Sequence, residues 1–168
     1  MSFLRGLFGE KENPLLKRAG TLVESANMLS IGTCTPLLER FPILQKVDME
    51  QWDFVLTVAA VFMASTRLNN LKLEESREEK LMEIVADHLN QWKPNEIRGF
   101  EDCKALFERE FDRLRATGHE PQFVAADAVG IWIVWNVLGH SPQSNEECDL
   151  VRATGTLVTH SFFNWWNT

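Results

Sequence analysis

The chain contains no tyrosine, only three cysteines, and fewer bases than acids. Each shortage closes a class of function. Without tyrosine, one common proton donor is missing. Cys34, Cys103 and Cys148 are far apart, with no CxxC pair and no Cys/His cluster. That excludes a zinc site and a disulfide framework, and suits reduced thiols in a cytoplasm. Seventeen Lys and Arg against 24 Asp and Glu leave a net charge of -7, which argues against nucleic acid as a partner. His88, His119, His140 and His160 show no HxxxH, HExxH or ExxH spacing, so no metal site is expected. There is no GxSxG and no Gly-rich loop leading into a helix, so no nucleophile elbow, phosphate cradle or cofactor is expected. The opening MSFLRGLFGEKENP has no continuous apolar core, and does not read as a secretory signal. No stretch alternates with a period of two, and no internal repeat occurs.

What is present is helical. Trp52 to Ala64 and Phe123 to Leu138 are apolar almost all the way round a helix. A helix apolar on every side must be buried. Both segments fall at or below about 17 residues, and both carry an acid, so neither reads as a membrane span. The expectation is an all-α fold over residues 1–168. It is a single compact bundle of about six main helices around these two central ones, with residues 1–13 as an N-terminal arm.

Caps and periodicity divide the chain further. Pro14 opens a helix to about Leu29, and Gly32 reads as its stop. Thr35-Pro36 starts a short helix that Pro42 interrupts. Asp48 caps a helix reaching Asn69-Asn70, with Gln51 as a weak capping-box partner. Helices follow over about Glu74 to Trp92, Gly99 to Ala116 and Pro121 to Leu138, with Gly118 and Gly139 as C-terminal caps. Ser144 and Glu147 form a capping box for a last helix that runs close to the C-terminus.

Few residues suggest chemistry. Asp127 falls on the same side of its helix as Ile131, Val134 and Leu138. A carboxylate there must be paired or protonated. The plainer reading is a structural ion pair; the sharper one is a tuned acid in a pocket. His88 lies in an apolar stripe, where a hydrogen-bonded core histidine is the commoner case. Cys34 sits in an expected loop and reads as the most reactive thiol, while Cys103 and Cys148 read as small hydrophobes. Gly130, inside the second apolar segment, reads either as a close-approach point or as filler. The region from Lys72 to Glu120 holds thirteen acids and nine bases, a mixed and solvated surface.

The two ends suggest contact. Phe3, Leu4, Leu7 and Phe8 would share an arc of about 140° on a helix. They could touch a membrane surface or a protein partner, or pack on their own domain. Phe162, Phe163, Trp165 and Trp166 crowd the last helix, which then has two apolar faces to cover. The leading expectation is therefore a non-enzymatic cytoplasmic interaction or adaptor protein that self-associates, most simply as a homodimer. The alternative is a ligand-binding or enzymatic helical domain. Its pocket would lie between the two apolar helices, lined by Asp127, His88, Trp132 and Trp135.

Overall fold

The computed structural model describes residues 14–93 and 97–167. These form an all-α bundle, with no strand among the described residues: α1 (Pro14–Arg40), α2 (Met49–Leu68), α3 (Glu75–Trp92), α4 (Ile97–Ala116), α5 (Pro121–Leu138) and α6 (Asn145–Phe162). Short 3-10 turns at Pro42–Lys46, Asn69–Leu71 and Trp165–Asn167 complete it. The expected arm over residues 1–13, including Phe3, Leu4, Leu7 and Phe8, lies outside the described residues, as does Pro94.

α2 is the core. Every residue from Val55 to Ser65 is buried, because α1, α4, α5 and α6 all pack against it. Asp48 starts the helix, its Oδ1 accepting the Glu50 N–H at 3.2 Å. Gln51, expected as a capping-box partner, turns to α5 instead: its side-chain nitrogen donates to the Asn136 carbonyl at 3.2 Å.

α1 departs from expectation. It runs unbroken through Gly32 and carries Pro36 inside it. An interior proline removes one helical hydrogen bond and costs about 3 kcal/mol. Tertiary contacts nearly two turns earlier, at Ser30, offset this. Ser30 is fully buried and donates its Oγ proton to Asp53 of α2 at 2.9 Å, and its carbonyl accepts the Trp52 indole N–H at 3.3 Å. Packing against α2 thus overrides the local break signals.

α5 and α6 form the tightest seam. A Cβ on Gly130 would stand 2.1 Å from the Val151 carbonyl oxygen, and one on Gly155 would stand 1.9 Å from that of Ala126. Only glycine lets the two backbones approach so closely. Gly130 is therefore a close-approach point. At the start of α6 the expected capping box forms: Glu147 N–H donates to Ser144 Oγ at 3.2 Å, and Ser144 N–H donates to Glu147 Oε2 at 3.1 Å.

The C-terminal aromatics fold inward. α6 ends at Phe162, and the following turn carries Trp165 and Trp166 back onto the bundle. Trp166 is buried, and its indole N–H donates to the Ala64 carbonyl at 2.7 Å. Trp165 donates to the Arg18 carbonyl at 3.2 Å, and Arg18 donates in return to the Trp165 carbonyl. Phe162 is buried and stacks on Trp165 at 5.4 Å; the Arg67 guanidinium lies 4.8 Å from the Phe163 ring. Phe162 and Trp166, expected at or beside a contact with a second copy, thus pack on the chain's own core. A turn closes the chain over its own core, because each buried indole finds a carbonyl partner there.

Candidate functional site

The outward stripe of α5 is Phe123, Asp127, Ile131 and Trp135, each one turn from the next. Phe123 and Trp135 are 43% and 38% exposed, whereas Asp127 is only 6% exposed. Its carboxylate is paired on both sides. Oδ2 lies 3.2 Å from His119 Nε2, and Oδ1 lies 4.0 Å from Arg152 Nε on α6. His119 is placed by the end of α4. Gly118 adopts φ +78, and the His119 N–H reaches back to the Leu114 carbonyl at 3.1 Å while the Gly118 N–H reaches Arg115 at 3.4 Å. This is a Schellman closure, and it sends the histidine toward α5.

Two more buried carboxylates stand nearby. Glu110 on α4 accepts from Arg109 Nε at 3.2 Å and from Arg113 Nε at 2.7 Å. Glu147 on α6 accepts the backbone N–H groups of Gln143 at 2.5 Å and Ser144 at 3.1 Å, with His140 at 3.9 Å. The Gln143 N–H, aided by the Ser144 N–H and by His140, holds its pKa below the usual carboxylate value against the opposing effect of burial.

α4, α5 and α6 enclose a half-open cleft of about 480 Å³. Leu114, Ile131, Trp135 and Val151 supply apolar walls; Glu110, Arg113, Asp127 and Arg152 supply charge and His119 an imidazole; Cys148, Ser141 and Pro142 complete the lining. Trp135 also borders a second recess of about 330 Å³ that Asp102, Arg109 and Trp132 line. Arg109 stands 5.8 Å from the Trp135 ring centroid, fixing that indole as a wall between the two spaces.

The structure assembles part of the expected pocket and moves it. Asp127 and Trp135 share the cleft. Trp132 is buried in the core and reaches only the neighbouring recess. His88 is elsewhere, on α3 against α1, with its Nε2 3.7 Å from where a Gly20 Cβ would sit. The cleft also lies on the other side of α5 from the expected position. None of the residues lining it belongs to α2. The residues that sequence reasoning missed, Glu110, Arg113, His119 and Arg152, carry no signal apart from the general charge of their helices. Only the i,i+3 spacing of Glu110 and Arg113 hints at a pair.

The cysteines are reordered as well. Cys34 lies within α1, its Sγ 3.5 Å from Met49 Sδ, and burial and then Asp53 push its pKa up. Burial pushes the Cys103 thiol up further. Cys148, read from sequence as a small hydrophobe, is the exposed thiol and faces the cleft.

Among the described residues no group of three or more His, Cys, Asp or Glu side chains is placed to hold a metal ion, and no helix is long and apolar enough to cross a membrane. No family model, curated protein or solved structure matches this chain.

Proposed function

We propose that the chain is a non-enzymatic, ligand-binding helical domain of the cytoplasm, with its site in the α4–α5–α6 cleft. One observation carries the reading. Two buried carboxylates, Glu110 and Asp127, each hold an arginine at the rim of an otherwise apolar cleft. An acid that served only stability would find its partner on the surface or in the core, whereas here two such pairs face one space. Its volume, about 480 Å³, falls in the range of small-molecule sites. The unbridged cysteines support a reducing compartment. The test is a thermal-shift screen of small molecules with Cys148 free or alkylated by N-ethylmaleimide. The reading expects stabilising compounds whose effect is lost on alkylation and in Ile131→Arg. Compounds that stabilise both forms equally would overturn it.

An interaction role has separate support. Met28 and Ile31 are 62% and 54% exposed one turn apart on α1, and Met49 lies beside them near Cys34. Such a stripe suits a protein partner or a second copy. It replaces the C-terminal aromatics as the basis for self-association. Light scattering across a concentration series tests it: a mass that rises with concentration and falls in Ile31→Glu supports it, and a constant monomer mass overturns self-association.

A further inference from the structure

We propose that the cleft takes an organic monocarboxylate on an apolar, ring-sized body, with its head held by Arg113 and Arg152. This rests on the preceding reading of the cleft as a ligand site. The charges are layered by depth. The side chains of Glu110 and Asp127 are 10% and 8% exposed, whereas those of Arg113 and Arg152 are 54% and 66% exposed. A ligand entering from solvent therefore meets guanidinium groups, with the acids withdrawn beneath them.

The way each arginine is held points the same way. Both carboxylates approach the Nε atom, 2.7 Å away in Arg113 and 4.0 Å away in Arg152. The contacts to the anchoring acids are made at Nε and not at the terminal nitrogens. Arg113, hydrogen-bonded at Nε, is the restrained fork and loses less freedom when it binds, while Arg152 is drawn to Asp127 by charge alone; a planar guanidinium matches a carboxylate in two-pronged geometry. Beside these paired charges, Leu114, Ile131, Val151 and the Trp135 indole supply the apolar part of the lining. An aromatic or branched aliphatic body fits that apolar part, and a sugar or peptide does not. The chain's net charge of -7 does not oppose this, because charges beyond about 8 Å are largely screened at physiological salt. The groups in contact decide the sign.

Calorimetry with four probes of one shape tests the assignment: naphthalene-2-carboxylate, naphthalene-2-carboxamide, 2-naphthylmethylammonium and 2-naphthyl phosphate. The carboxylate is expected to bind at least about tenfold more tightly than the amide, the size of one or two charge-assisted hydrogen bonds. Arg152→Gln and Arg113→Lys should each erase most of that preference, with carboxylate affinity falling by more than amide affinity. Arg152 is largely exposed, and Arg113→Lys keeps a cation beside Glu110, so both variants should melt like the wild type. Amide or ammonium binding as tight as carboxylate would overturn the ligand class and leave the cleft as a binding site. Preference for the phosphate would overturn the carboxylate head. Failure of all four probes to bind would overturn both the class and the cleft reading.

Discussion

α2 and α5 have similar sequences and different fates. Both are apolar on nearly every side, and each carries an acid within that apolar run, Asp53 in α2 and Asp127 in α5. α2 is sealed: it packs against four helices, and its residues from Val55 to Ser65 are all buried. Among the described residues α5 makes its main contacts with α2, α4 and α6. On its outward stripe, Asp127, Ile131 and Trp135 look into the cleft. The acids follow suit. Asp53 of α2 is held by a neutral hydroxyl, Ser30 Oγ at 2.9 Å, while Asp127 of α5 is held by His119 and Arg152. An apolar circumference therefore guarantees burial only where the fold supplies a neighbour on every side. Where one neighbour is missing, the same composition makes the floor of a cleft, and the acid becomes an anchor for cations.

The largest expected effect tests this contrast directly. Leu56 on α2 is fully buried; Ile131 on α5 is half-buried at the cleft. Leu56→Ala should cost about 2–5 kcal/mol, because a closed cavity remains. Ile131→Ala should cost less than half as much, since its space opens to water. At about 2–4 °C per kcal/mol, the two melting temperatures should separate clearly. Equal losses would mean that α5 is as sealed as α2.

The seam on the closed side of α5 comes next. Gly155→Ala would drive a methyl group into the Ala126 carbonyl, which is backbone and has no rotamer to escape by. A loss of about 1–3 kcal/mol, measured by urea unfolding, is expected. A neutral result would mean that α5 and α6 stand further apart, and the cleft between them would need redrawing.

A smaller effect tests the cover over α2. A Cβ at Gly32 would meet nothing within 4 Å, and α1 passes through this position as helix. Gly32→Ala should therefore stabilise by about 0.5–1 kcal/mol. If α1 instead ended at Gly32 in a left-handed cap, alanine would be strained there and the variant would lose stability. One side of α2 would then be open, as it is in α5.

These positions also mark what the sequence reveals and why it stops. Helices with their own caps were legible: Ser144 with Glu147, Gly118, Gly139 and Pro121 act within one turn, so local chemistry settles them. The run from Gly32 to Pro36 misleads because the contacts that overrule it, Ser30 with Asp53 and Trp52, join residues more than twenty apart. The C-terminal aromatics mislead similarly: Trp166 finds Ala64, 102 residues away. At the site, Asp127 and Trp135 stood out because an acid or an indole in an apolar helix is conspicuous. Arg113 and Arg152 did not, because a single arginine on a charged helix looks like any other until the fold brings it beside a buried acid.

The smallest expected effect lies at the cap of α6, the helix that walls the cleft opposite α4. Glu147 accepts two backbone N–H groups, and the first of these does most to hold its carboxyl below the usual range. Its folded pKa is thus lower than its unfolded one. The stability it contributes is fully present above the unfolded value, about 4.3 for a glutamate, and is lost as pH falls through the folded value. Other carboxylates also titrate there, so the informative quantity is the difference between wild type and Glu147→Gln, which cannot ionise. Urea midpoints should differ at pH 7 and converge as the pH drops below about 4. A gap that persists unchanged at low pH would show that the cap works through shape alone. The α6 wall would then hold equally well in acid, and the open side of α5 would keep its form there.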